Sequence, residues 1–193
     1  MVDAMAKTSS GTNEDELVLR AGRDGEALGQ LYDLYYQSVF RFCLYRLFSR
    51  EAAEDVTSIV FLTVAGNIAD FPGRTGEDFR NWLYTIAVRQ ANSYLRKTSR
   101  RKRLFNKAAR MMQSNDAERD ESSTVPDWPM LYSAILKLKP KHQTIVILRY
   151  FENLEFEQIA KIINKRPSTV RVTIHRILKK LRNHLQSIME KEA

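Results

Sequence analysis

Residues 155–181, EFEQIAKIINKRPSTVRVTIHRILKKL, leave this chain little choice of local fold. Apolar residues recur at helical spacing in the first part: Phe156, Ile159, Ala160, Ile162 and Ile163. Three polar residues, Asn164-Lys165-Arg166, interrupt the pattern. Pro167 then suits the first turn of a new helix, where its missing N–H would have had no partner. The second helix keeps Val170, Ile174, Ile177, Leu178, Leu181 and Leu185 on one stripe. Two helices joined by a three-residue turn have the build of a helix-turn-helix.

The opposite face of the second helix presents Ser168, Arg171, Val172, His175 and Lys179, bordered by Thr169, Thr173 and Arg176. In this motif the start of the second helix enters the major groove. Arg and His can donate to guanine edges, Thr and Val methyls can meet thymine methyls, and Lys meets phosphate. The competing reading is a basic amphipathic helix that only packs and keeps the chain in solution. Two features oppose it. No acid occurs from Pro167 to Met189, whereas ordinary exposed faces mix signs, and the turn itself is basic. The cluster Lys179, Lys180 and Arg182 fits phosphate contact and plain solvation equally.

Charge is unevenly placed. The formal net charge is +8. Residues 1–95 carry 9 basic and 13 acidic side chains, and residues 96–110 carry 8 basic and none acidic. Residues 111–128 carry 1 basic and 5 acidic, and residues 129–193 carry 13 basic and 5 acidic. Local basicity points to a polyanion partner at those places. The single cysteine, Cys43, excludes an intramolecular disulfide and lies in an apolar helical pattern, which reads as a small core residue. No apolar run is read as spanning a membrane, and MVDAMAKTSSGTNEDE has no apolar signal core, so a cytoplasmic protein without membrane insertion is expected.

Helical periodicity dominates the rest. Residues 26–48 repeat Leu28, Leu31, Leu34, Tyr35, Val39 and Phe42 on one face. After Ser49, REAAEDVTSIVFLTVAG opens with acids, stops at Gly66, and gathers Ala52, Val56, Ile59, Val60 and Val64. NIADFPGRTG reads as a loop. EDFRNWLYTIAVRQANSYLRK carries Phe79, Trp82, Leu83, Ile86, Ala87, Tyr94 and Leu95 on its periodic face, with Gln90 as the one polar interruption. Residues 111–129 are polar and acidic and read as a linker. Four short helical patterns follow: 130–138, 141–151, 155–163 and 167–188. The expected fold is all-α. Two small helical domains are joined by a flexible linker, and the C-terminal one is a four-helix domain with the helix-turn-helix. The expected limits are a disordered tail over 1–20, a first domain over 21–103, a linker over 104–129 and a second domain over 130–193. His142, His175 and His184 are scattered without ligand spacing, so no metal site is expected. No phosphate loop or nucleophile motif occurs, so neither a cofactor nor an enzyme activity is expected.

Three stretches together resemble the short, two-domain sigma factors of bacterial RNA polymerase, the extracytoplasmic-function (ECF) group of the sigma-70 family. They are AAEDVTSIVFLTV at 52–64, FRNWLYTIAVRQANSYLRK at 79–97, and LKPKHQTIVILRYFENLEFEQIAKIINKRPSTVRVTIHRILKKLR at 138–182. The resemblance covers roughly residues 20–188. It implies a subunit that binds core RNA polymerase, through the β′ clamp and the β flap, and directs promoter-specific initiation. It assigns clamp contact to the first stretch, with Glu54, Asp55, Ser58, Phe61 and Leu62 as its residues. The second stretch and the loop before it are implied to engage and help melt the −10 element. Arg74, Trp82, Arg89, Asn92 and Arg96 are the candidates there. The helix-turn-helix is implied to read the −35 element through Arg166, Ser168, Thr169, Arg171, Val172, Thr173, His175, Arg176 and Lys179. The linker is implied to thread towards the polymerase active-site channel. An anti-sigma factor or a kinase is a candidate further partner.

Some positions depart from the family pattern. Ser93 and Arg89 replace its usual Asp and Asn, Arg171-Val172-Thr173 replaces Lys-Ser-Arg, and Arg166 replaces a Ser helix cap. Ser58 and Ile59 replace a Gln and an acid, and Ile59 is expected to extend the buried face. Thr57 and Ser58, beside Asp55, are sites where a phosphate would restore charge. Trp82 fits both the core stripe and base stacking. A stand-alone helix-turn-helix regulator is the alternative, and an RNA-binding adaptor using residues 96–110 is a third reading. The linker and the WLY helix favour the sigma reading over both.

Overall fold

The structure, a computed structural model, describes residues 13–112 and 129–192, with side chains at 13–100, 131 and 133–186. Helices and tight turns account for its regular structure, and no strand occurs among the described residues. Helix α1 covers 13–21, α2 Gly25–Leu47, α3 Arg50–Asn67 and α4 Gly76–Met112. Then come α5 Pro129–Leu136, α6 Pro140–Val146, a π turn Ile147–Phe151, α7 Phe156–Ile162 and α8 Pro167–Glu192.

Local chemistry explains the boundaries of the N-terminal block. Asp24 caps α2, its Oδ1 accepting the N–H of Glu26 at 2.9 Å. Ser49 caps α3 through the N–H of Ala52 at 3.2 Å. Helices α2, α3 and α4 close on a core of Leu31, Val39, Phe42, Val56, Val60, Phe79 and Leu83. The segment Arg50–Asp70 is long and apolar enough to cross a membrane by length and composition, contrary to expectation. In the fold it is α3 and the short turn after it. Ala52, Ala53, Val56, Val60 and Val64 face the core.

Three expectations are corrected. Residues 13–20, expected as disordered tail, belong to α1. Leu17, Val18 and Ala21 are buried, Glu14 takes the hydroxyl of Tyr35, and Asp15 takes the N–H of Gly76 at 2.6 Å. The turn after α1 approaches the chain so closely that a Cβ on Gly22 would lie 3.2 Å from Ala69 Cα. Residues 1–12 lie outside the described residues. Next, residues 104–112, expected as linker, continue α4, which runs 37 residues without a break. Basic residues are good helix formers, and no Gly or Pro interrupts the run. Pro129, the last expected linker residue, opens α5, and residues 113–128 between lie outside the described residues. Finally, Leu34, Ile59 and Leu178 are exposed at 53%, 45% and 43%, so none is a core residue.

The C-terminal block packs α5, α6, α7 and α8 around Ile147, Leu148, Leu154, Ile159, Val170, Ile174 and Ile177. Pro140 opens α6, where its missing N–H needs no partner. Gln143 Nε2 donates to the carbonyls of Ile135 and Leu136 at the end of α5 and of Leu138 just beyond it, where helix carbonyls lack intrahelical partners. The helix-turn-helix turn is closed by Asn164 in the left-handed region (φ 52°) and by the N–H of Lys165 to Ala160 O at 2.9 Å.

Candidate DNA and polymerase interfaces

The structure brings the nine −35 candidates to the start of α8 and the turn before it. Arg166, Ser168, Thr169, Arg171, Val172, His175, Arg176 and Lys179 are exposed, and Thr173 is half-buried. Val172 is 51% exposed, and the residues buried on α8 are Val170, Ile174, Ile177 and Leu181. An apolar side chain turned to water on this face is able to meet a thymine methyl. Arg171 Nη2 meets Glu157 Oε1 at 2.7 Å, and its guanidinium lies 5.5 Å from the ring centre of Phe156. Both contacts come from α7, so the first helix of the motif aims the side chain carried by the second.

The −10 candidates are spread along α4 and the loop before it. Arg74, Arg89 and Arg96 are exposed, and Asn92 is half-buried. Trp82 stacks on Phe71 with ring centres 4.6 Å apart and packs on Phe79, so its role in this conformation is packing. Gln90, the polar break in the core stripe, lies at 3.5 Å from Thr63 Oγ1.

On α3 the clamp candidates separate into two groups. Glu54, Asp55, Ser58 and Leu62 are exposed, Leu62 at 73%. Asp55, Ser58, Ile59 and Leu62 share one outward stripe at helical spacing. Glu54 is paired with Arg50 at 2.9 Å. Phe61 is 9% exposed and packs edge-on against Tyr32 at 4.7 Å, so it leaves the candidate face and belongs to the core. Thr57 is fully buried, which removes it as a modification site. Cys43 is fully buried, and burial pushes its thiol up to about 12.

Sequence reasoning missed the seam between the two blocks. Arg46 of α2 is 2% exposed and donates to Thr144 Oγ1, Gln143 Oε1 and Asn92 Oδ1 at 3.2, 3.1 and 3.0 Å. Glu152 has a side chain 1% exposed. It accepts from Arg41 Nη2 at 2.9 Å and from the Tyr84 hydroxyl at 2.7 Å. Glu152 raises the pKa of Arg41, and burial raises that of Tyr84. Lys161 pairs with Glu77 at 3.3 Å on the rim. One signal was legible: Arg46 stands on the apolar stripe formed by Val39, Phe42 and Cys43, where a cation needs a partner. Beside this seam a cavity of about 440 Å³ has Arg89 and Asn92 on one wall and Asn164, Lys165, Thr169 and Thr173 on another. Candidates for the two promoter elements therefore share one cavity.

An all-α chain with a helix-turn-helix in one block, and an exposed acidic-apolar helix face in the other, has the build of a DNA-binding transcription protein. The chain belongs to the sigma-70 family, among the ECF sigma factors of RNA polymerase. Sigma-70 region 2 matches residues 31–101, and sigma-70, region 4 matches residues 129–181. The RNA polymerase sigma factor YlaC of Bacillus subtilis is 31% identical over 170 residues, covering 86% of this chain and 96% of that protein. The ECF RNA polymerase sigma factor BldN of Streptomyces coelicolor is 32% identical over 170 residues, again 86% of this chain, but the match spans only 63% of BldN. Among solved structures, CnrH in complex with the cytosolic domain of CnrY has the same fold. Its TM-score is 0.66 at 17% identity, over 94% of this chain and 99% of CnrH. The sigma factor RpoE with the anti-sigma factor NepR, from Bartonella quintana, gives 0.61 at 18% identity, over 82% and 96%.

Proposed function

We propose that this chain joins core RNA polymerase through the outward stripe of α3, and that its two blocks read the two promoter elements. Asp55, with Glu54, Ser58 and Leu62, meets the clamp. Arg74, Arg89, Asn92 and Arg96 face the −10 element. The start of α8 reads the −35 element, with Arg171 and Val172 as base readers and Lys179 on phosphate. The N-terminal unit ends with α4 at Met112, and the C-terminal unit begins with α5 at Pro129. The protein acts in the cytoplasm and performs no catalysis of its own. CnrH and RpoE are each held by a partner in the structures named above, so a protein that holds this chain away from polymerase is a fitting regulator.

One observation carries this reading. The DNA-reading face of α8 and the exposed acidic-apolar stripe of α3 lie in separate blocks of one chain. A stand-alone regulator would need another use for the second surface, such as dimerisation. Transcription in vitro from a matched promoter tests it. Promoter-specific transcripts are expected only when core polymerase and this chain are both present. Tight, polymerase-independent repression at the same promoter, without initiation, would support the stand-alone regulator instead.

A further inference from the structure

A second cleft, of about 650 Å³, opens on the seam where α2 and α4 face the start of α6. Its charged lining is Arg46, Arg96, Arg100 and Lys141, and no acid lines it among the described residues. Arg96, Arg100 and Lys141 are exposed, and none forms an ion pair among the described residues. Arg46 is 2% exposed, at the inner end. A buried guanidinium ordinarily has a carboxylate, because desolvation of a lone charge is costly. Here the three partners, Thr144, Gln143 and Asn92, are all neutral. Burial lowers the Arg46 pKa to about 10, which still leaves it charged at neutral pH. Four cations thus converge on one cleft, and among the described residues none of them has a carboxylate partner. Asn92 and Ser99 add polar groups to the same lining.

We propose that this cleft binds a compact polyphosphate, either free or as the tail of a nucleotide, held between Arg96 and Arg100 of α4 and Lys141 of α6, above Arg46. Guanidinium groups match phosphate oxygens two at a time, and lysine adds a point charge. The volume suits a small molecule. Arg46 is 2% exposed, so a ligand that uses all four cations has to enter the cleft, which favours a small anion over a duplex lying on the surface. Because its walls come from both blocks, an occupant ties them together.

The test is calorimetric titration of the full chain with sodium tripolyphosphate near physiological ionic strength, with sulfate, ATP, GTP and a short DNA single strand as further ligands. Saturable one-to-one binding of tripolyphosphate, much tighter than sulfate, is expected. Lys141→Glu and Arg100→Glu should each weaken it roughly tenfold or more, the loss of one charge-assisted contact. Lys137→Glu, on an exposed residue that does not line the cleft, should change it much less. All of these side chains are exposed, so folding should survive, and thermal melts check that directly. Tighter binding of ATP or GTP than of tripolyphosphate supports a nucleotide as the source. Equal or weaker binding supports free polyphosphate. Binding matched by sulfate, insensitivity to Lys141→Glu, or binding of the DNA strand alone would each overturn the proposal.

Discussion

Tyr84 on α4 donates its hydroxyl to Glu152, 68 residues later in the chain, at 2.7 Å. Arg41 completes the set from α2. One carboxylate from the C-terminal block is therefore held by two side chains of the N-terminal block, in a place closed to water. Removing it leaves a buried hydroxyl and a guanidinium without their acceptor. Glu152→Ala should weaken the joined arrangement by about 2–4 kcal/mol. Small-angle scattering should then report a larger radius of gyration. An unchanged radius would mean that the seam does not depend on this contact.

Arg171 is aimed by Glu157 and Phe156. Arg171→Ala should cost about 1–3 kcal/mol at the preferred −35 sequence and relax selection at one position. Lys179→Ala should weaken every sequence alike and make binding less dependent on salt. Equal losses on specific and random DNA for both variants would contradict the base-reading role. Fluorescence anisotropy on matched and scrambled duplexes measures this.

The exposed stripe of α3 predicts a graded effect on core polymerase. Asp55→Ala and Leu62→Ala should both reduce affinity, and Asp55→Ala should do so more at low salt than at high salt. If Asp55→Ala binds purified core like the parent at both salt concentrations, the clamp surface lies elsewhere.

Neighbouring positions on the same helix should respond in opposite ways to one added charge. Thr57 is fully buried, so Thr57→Glu should lower stability by more than about 2 kcal/mol or prevent folding. Ser58 is exposed, so Ser58→Glu should leave the melting temperature nearly unchanged and is the variant fit to test charge at the clamp. Ser49→Ala, which removes the cap of α3, should cost about 1 kcal/mol. Thermal denaturation of the three variants decides.

Alkaline pH should weaken the fold. Burial raises the pKa of Cys43 from 9.0 to about 12, and it raises those of Tyr35 and Tyr84 as well. In the unfolded chain these groups lose protons first, so the folded state holds more protons and stability falls as pH rises. For Cys43 the stability is complete below pH 9 and is lost progressively towards pH 12. Cys43→Ala should flatten part of that decline in urea denaturation. An identical slope for parent and variant would show that the thiol does not contribute.

Much of this fold was legible from side-chain order. Ser49 ahead of two acids marks α3, and Pro167 after a basic turn marks α8, because caps and proline act within one turn of the chain. Leu34, Ile59 and Leu178 misled because periodicity assigns a face but not whether another helix covers it. The long α4 was cut short because its periodic apolar face was followed only to Leu95, and the charged run beyond carries little periodic signal. Polarity does not terminate a helix in the absence of Gly or Pro. Of the candidate surfaces, the α8 face was legible because its partner stripe is strongly apolar. Phe61 was not, since its burial depends on Tyr32 and Tyr36 of another helix. Arg46 gave one local signal, its place on an apolar stripe, but its partners and those of Glu152 lie 46 to 111 positions away and cannot be read from neighbouring residues.

The shared cavity that places Arg89 and Asn92 opposite Thr169 and Thr173 also acts as a ruler. Promoter elements centred near −10 and −35 are separated by about 25 base pairs, or ~85 Å along the duplex at about 3.4 Å a step. Side chains that line one cavity cannot reach both ends of that span. With the readers assigned as proposed, the joined form can engage at most one element, and full promoter contact requires the blocks to part. The covalent tether allows it. The 16 residues between Met112 and Pro129 can reach about 55 Å at full extension, and the two blocks supply the remaining distance. Breaking the seam at Arg46 and Glu152 is then a step in promoter engagement, and its free energy is subtracted from the affinity of the free chain for DNA.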